Sequence, residues 1–169
     1  QEMFNPRPLL SPEWPRPERV RLGLGIFEVM REAGRLFSPE VVPSYIISMT
    51  HSISDVLEVL VLAKEAGLAR FRQQGPVVML ESDLDIVPLF ETIDDLAQSG
   101  RLMRELFANE AYAMQLNARN RFQEIMLGYS DSSKDGGYMA ANWNLQDTQD
   151  RLARVCREHG VDWRLFHGR

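Results

Sequence analysis

Three short stretches of this chain carry side chains suited to anions and hard cations, and each directly follows an apolar run. Glu91-Thr92 follows Ile86-Val87-Pro88-Leu89-Phe90, and Ser130-Asp131-Ser132-Ser133-Lys134-Asp135-Gly136-Gly137 follows Ile125-Met126-Leu127-Gly128-Tyr129. His167-Gly168-Arg169 follows Trp163-Arg164-Leu165-Phe166. Two carboxylates from separate strand ends, with coordination positions left for water and a phosphorylated ligand, form a donor set that Mg2+ or Mn2+ commonly uses, and Glu91 and Asp131 fit it. Lys134, His167 and Arg169 could then bind anions, arginine favouring bidentate contacts with phosphate or carboxylate. Gly136 and Gly137 permit close backbone approach and open the next helix, whose first N–H groups could face an anion.

Each of these residues also has a structural alternative. Glu91 with Asp94 and Asp95 could simply complement a helix dipole. The Ser-Asp-Ser-Ser run could be a cap and turn, and His167 and Arg169 could be frayed terminal residues. His51 and His159 read as structural, and Met139 with Trp143, at helical spacing, reads as core.

The elements that must position these groups follow from hydrophobic periodicity. Residues 1–17 hold five of the nine prolines and read as an irregular lead-in. Glu18 to Phe37 fits a helix with a wide apolar face, weakened by Gly23 and Gly25. Beyond it, four strand candidates, Ser44 to Met49, Asp85 to Phe90, Glu124 to Tyr129 and Asp162 to Phe166, alternate with helical stretches. Those helices are Ile53 to Ala66, started by Ser52 or Ser54 and stopped by Gly67, then Ile93 to Leu96, Leu102 to Leu116, and Tyr138 to His159. The fold class is α/β, with about four parallel strands and crossover helices: part of a (β/α)8 TIM-like barrel or an open doubly wound sheet. No Gly-x-Gly-x-x-Gly opens a helix after a strand, which favours the barrel. Residues 18–169 are thus expected to be βα units of one segment of a larger barrel domain, with working groups gathered beyond the carboxyl ends of the strands.

Composition narrows the partners. A net charge of -5 argues against nucleic acid, and no apolar run approaches the roughly 20 residues of a membrane span. A single cysteine, Cys156, excludes an intrachain disulfide and a cysteine-built zinc site, and suits a cytoplasmic setting. The opening Gln1-Glu2-Met3-Phe4 is unlike a signal peptide and reads as a cut inside a longer chain.

Met126-Leu127-Gly128-Tyr129-Ser130-Asp131-Ser132-Ser133-Lys134-Asp135-Gly136-Gly137, followed by Ala140-Ala141-Asn142-Trp143, closely resembles a signature stretch of the phosphoenolpyruvate carboxylases. Val87 through Leu96 resembles a second stretch, Tyr45 through Gly67 a third, and Phe166-His167-Gly168-Arg169 the start of a fourth. Order and approximate spacing agree from about Arg7 onward. The resemblance implies an enzyme that joins bicarbonate to phosphoenolpyruvate, giving oxaloacetate and inorganic phosphate for the tricarboxylic acid cycle, with Mg2+ or Mn2+ and without biotin. It implies Glu91 and Asp131 as metal ligands, Lys134 in bicarbonate or CO2 handling, and His167 and Arg169 holding CO2 and phosphate. It also implies a homo-oligomer, a tetramer in the family. The family's glycine-rich arginine loop after His-Gly-Arg, its amino-terminal histidine region and its carboxyl-terminal inhibitor site are not among these residues, so this stretch by itself is expected to be inactive without the rest of a parent chain. A noncatalytic paralogue serving as a scaffold, or another metal-dependent barrel enzyme acting on phosphoenolpyruvate or pyruvate, are the alternatives.

Overall fold

Helix α1 (Glu18–Leu36) begins directly after Pro17 in the computed structural model, which describes residues 4, 7–9, 11, 13, 15–75 and 77–168. It runs unbroken through Gly23 and Gly25 because Leu24, Phe27 and Met30 bury one face, with the Phe27 ring stacked on Tyr45 at 4.9 Å. Strand β1 (Ser44–Ile47) leads through a short loop to α2 (Ile53–Ala66). Ser52 caps α2 in a capping box with Asp55, and Gly67, at φ 78°, closes it in the left-handed conformation that glycine adopts without strain.

Four strands form one parallel sheet in the order β1-β4-β5-β6, where β4 is Asp85–Phe90, β5 Phe122–Gly128 and β6 Asp162–Gly168. Each strand of this sheet lies beside the one before it. The order never reverses, which is the winding of a barrel segment and not of a doubly wound sheet. Both outermost strands, β1 and β6, are edges within the described residues.

Strand alternation divides the sheet into two faces. Ile86, Phe90, Ile125 and Leu127 point toward the helices and are almost fully buried. They pack with Val56 and Leu60 of α2, Leu96 and Met103 of α3 (Ile93–Ala108), and Leu152 and Val155 of α6 (Tyr138–Glu158). Full burial of each such side chain contributes roughly 1.5–3 kcal/mol, so this layer supplies much of the driving force. The other face, on which Ile46 pairs with Val87 and Leu89 with Met126 and then Phe166, leaves Ile46 and Phe166 about half exposed.

Four details depart from the sequence reading. An antiparallel hairpin, β2 (Ala69–Gln74) and β3 (Val77–Ser82), lies between α2 and β4. Helix α3 continues to Ala108, and Asn109 caps a separate α4 (Glu110–Ala118). The Ser-Asp-Ser-Ser stretch is helical, α5 (Tyr129–Gly136), divided from α6 by Gly137 at φ 80°. Met139 and Trp143 are 81% and 78% exposed instead of core, because the buried stripe of α6 runs through Ala141, Leu145, Thr148, Leu152 and Val155. That stripe steps by four and three residues, and Met139 and Trp143 fall off it.

Candidate functional site

The carboxyl edge of the sheet carries Glu91, Asp131, Lys134 and His167, while Arg169 lies outside the described residues. Glu91 follows β4, a strand buried from Ile86 to Phe90, and by alternation it continues the row of Val87 and Leu89. Its Oε2 accepts a hydrogen bond from the Met49 N–H at 3.0 Å. Beside it, β5 ends in Gly128, where an added Cβ would stand 3.2 Å from Glu91 Cα and 3.3 Å from Cγ. Glycine here lets the acidic side chain lie against the end of the neighbouring strand.

Asp131 stands in the first turn of α5, and its Oδ1 is 3.2 Å from Lys134 Nζ. Both side chains are open to solvent, at 48% and 76%. Helix α5 is tied to its neighbours by two contacts: Asp135 Oδ2 accepts from the N–H of Ile93, the first residue of α3, at 2.9 Å, and the Ser132 hydroxyl donates to the Gly128 carbonyl at the end of β5. Ser133 likewise donates to the Tyr129 carbonyl at 2.8 Å. His167 lies within β6, not beyond it, in register with Leu127, and its ring meets the Tyr129 ring edge-on at 4.8 Å. The structure thus pairs Asp131 directly with Lys134 and brings Glu91 and His167 to the start of α5 from the two flanking strands, but by alternation on opposite faces of the sheet: Glu91 in the row of Val87 and Leu89, His167 in the helix-facing row of Leu127 and Leu165. Among the described residues of this set, the only bond linking two of them directly is that of Asp131 with Lys134.

His51, expected to be structural, belongs to the same edge. Its Nδ1 is 2.8 Å from Asp95 Oδ1, and its side chain is 56% exposed. Asp95 is the third residue of α3 and closes that helix's capping box with Thr92, its Oδ2 also accepting from the Thr92 N–H at 3.0 Å. Burial alone would raise the Asp95 carboxyl, but hydrogen bonds from Thr92 and His51 outweigh it and hold the group below the usual carboxylate range. Asp55 behaves alike: burial pushes it up, and bonds from Ser52 and His51 bring it below that range. The repeated Ser/Thr-x-x-Asp pattern at 52–55 and 92–95 was the available sequence signal for these caps. His159 is structural, bonding the Val155 carbonyl at 3.0 Å and packing on Phe107.

No group of three His, Cys, Asp or Glu side chains that could hold a metal occurs among the described residues. The donor set nonetheless fits a hard ion of the Mg2+ type, which is usually held by one or two carboxylates and completed by waters and substrate oxygens. Each carboxylate spends one oxygen on the bonds above, Glu91 Oε2 on Met49 and Asp131 Oδ1 on Lys134, and has a second oxygen besides.

Fold and site together define a class: a barrel-wound parallel α/β segment that presents carboxylates, a lysine and an imidazole at the carboxyl edge of its strands. The model of the phosphoenolpyruvate carboxylase family matches residues 1–169, and the chain belongs to that family. It is 51% identical to the phosphoenolpyruvate carboxylase of Rhodothermus marinus over its whole length, 46% to that of Corynebacterium efficiens and 45% to that of Corynebacterium glutamicum. The chain spans 18% of the length of each of these relatives.

Proposed function

We propose that this chain is the part of a phosphoenolpyruvate carboxylase barrel that holds the divalent metal and part of the anion site. In the whole protein, the reaction joins bicarbonate to phosphoenolpyruvate, giving oxaloacetate and inorganic phosphate. Membership of the family over the full chain, together with acidic and basic groups gathered at one carboxyl edge, supports the reading.

Glu91 and Asp131 would hold Mg2+ or Mn2+, which when bound supplies Lewis-acid stabilisation of negative charge developing on the enol oxygen. Lys134 stands one helical turn from Asp131, so its ammonium can neutralise bicarbonate next to the metal ligands. His167, packed edge-on against Tyr129, would hold CO2 or phosphate at the opposite flank of α5, with Arg169 gripping the phosphate group. Fixed donors of this kind act where charge develops and cost no reorganisation during the reaction. The cation-bearing edge orients two anions that would otherwise repel each other, which is an entropic contribution as much as an electrostatic one. Biotin has no role in this scheme. Anaplerotic supply of the tricarboxylic acid cycle, a cytoplasmic location and a homotetrameric assembly complete the proposal; no helix among the described residues is long and apolar enough to cross a membrane.

The test is a coupled oxaloacetate assay with Mg2+ on the full-length protein and on these 169 residues. Turnover is expected in the first and not in the second, since the phosphate clamp is incomplete without the rest of the barrel. An inactive full-length protein that also fails to bind Mn2+ by calorimetry would instead identify a scaffold.

A further inference from the structure

We infer that His51 is a positioning residue for Glu91, acting through a strap, Met49 to His51, that crosses from the end of β1 to the end of β4. The inference rests on the reading of Glu91 as a metal ligand and extends it to a residue that touches neither metal nor substrate.

Three successive residues of the strap bond to the end of β4 and the first turn of α3. The Met49 N–H donates to Glu91 Oε2 at 3.0 Å, the Thr50 N–H to the Leu89 carbonyl at 3.3 Å, and the His51 ring meets Asp95 Oδ1 at 2.8 Å. Thr50 is buried, its hydroxyl bonding the Ile47 carbonyl at 3.0 Å. On its far side the strap is tied to α2, where Asp55 Oδ2 accepts from the His51 N–H at 2.9 Å. His51 therefore joins two helix caps, its backbone serving the one on α2 and its ring the one on α3.

This geometry matters for the carboxylate. Met49 sits at φ 53°, a left-handed conformation that a non-glycine residue keeps only when its surroundings fix it. That conformation turns its N–H toward Glu91 and orients one carboxylate oxygen, leaving the other for a ligand. Asp95, which receives the His51 ring, also accepts from the Thr92 N–H at 3.0 Å and, at 3.4 Å, from the N–H of Glu91 itself. The imidazole is thus anchored to the same carboxylate that sets the backbone under Glu91. Nδ1 donates in this bond, since the Asp95 oxygen can only accept. A capping box needs no histidine; its presence here, and the strap's hold on the Glu91 side chain, are what assign a positioning role. Partners of this kind behind a metal-binding side chain are worth roughly 10–100-fold in metal affinity.

The test is Mn2+ binding to the full-length protein without substrate, followed by the electron paramagnetic resonance of free Mn2+. His51→Phe should weaken Mn2+ by roughly 10–100-fold, whereas His51→Asn, whose amide can donate to Asp95 from the Nδ1 position, should stay within about threefold of wild type. The Mn2+ concentration for half-maximal turnover should rise in the first variant more than kcat falls. Should His51→Phe fail to fold, His51→Ser, too short to reach Asp95, carries the same expectation. Wild-type affinity in a folded His51→Phe or His51→Ser variant, with binding lost in Glu91→Gln, overturns the positioning role alone. Undiminished binding in both Glu91→Gln and Asp131→Asn overturns the metal reading and the inference with it.

Discussion

The two ends of the parallel sheet use their polar side chains in opposite ways. At the amino end, buried and half-buried polar groups are tied to one another and to backbone carbonyls. Arg119 grips Asp85 with Nε at 2.7 Å and Nη2 at 3.0 Å, and its Nη1 reaches the Ser82 carbonyl. Tyr112, fully buried, donates to Gln123 Oε1 at 2.6 Å, Gln123 donates to the Ile86 carbonyl, and Gln115 to the Leu84 carbonyl. At the carboxyl end, Lys134, Asp131 and His51 remain 76%, 48% and 56% exposed, and Tyr138, Met139 and Trp143 of the following α6 are exposed as well. Side-chain pairs form there too, Asp131 with Lys134 and His51 with Asp95, but they stay open to solvent. The first arrangement closes a structure and the second waits for a ligand, which is the usual division of labour in parallel α/β barrels.

The sharpest way to break that comparison is to damage one end and look for effects belonging to the other. Asp131→Asn or Glu91→Gln in the full-length protein is expected to lower kcat/KM by about 100-fold or more, the order of a lost charge-stabilising group, while thermal unfolding barely moves. Wild-type turnover in either would remove the metal assignment. Arg119→Ala should do the reverse: it strips a part-buried carboxylate of a bidentate partner, costing roughly 1.5–3 kcal/mol of stability in chemical denaturation, with kcat unchanged below the unfolding transition. An activity loss without a stability loss would mean that the amino end is not merely structural.

How far the sequence revealed each end follows from the range of the interactions. The strands were legible where burial on both faces makes a continuous apolar run, as in Ile86 to Phe90. The hairpin was not, because Arg70, Arg72, Gln73 and Gln74 dilute its pattern and its register is held by cross-strand contacts such as Arg72 with Glu81 at 2.7 Å. Helix α5 was hidden by its own composition: Ser and Asp favour turns, yet here the Ser132 and Ser133 hydroxyls bond carbonyls four residues back and tolerate the helix. The candidate residues Glu91, Asp131, Lys134 and His167 could be singled out because strand ends can be located locally. His51 was missed because its partner lies 44 residues away, and nothing near His51 in the chain announces Asp95.

A smaller effect separates the ends by pH. Asp55 and Asp95, both at carboxyl-end helix caps, are held below the usual carboxylate range by their hydrogen bonds despite burial. The unfolded chain then binds protons that the folded chain resists, so their stabilisation is complete above about pH 4 and is lost as pH falls through the depressed values. Asp55→Asn should accordingly be less stable than wild type at pH 7, by about 1 kcal/mol as for other lost caps, and the gap should close in urea titrations toward pH 3. A gap that is constant with pH would show that the cap works through shape alone and not through charge.

The smallest effect concerns the layer between the two ends. Cys156 is buried on the inner side of α6, and burial pushes its thiol up to about 11, with Arg157 pulling only partly against that. At pH 7 roughly one thiol in ten thousand would then be ionised, and the thiolate is the reactive form. If the openness of the carboxyl end stops at α5 and at the first turn of α6, Cys156 should react with a disulfide reagent no faster than the protein unfolds, and denaturant should release the reaction. Arg119→Ala, by loosening the amino end, should speed it in proportion to its lost stability, whereas Asp131→Asn should leave it unchanged. Fast labelling of the native protein would place a gap in the helix layer itself, and the contrast would then lie between faces of the sheet and not between its ends.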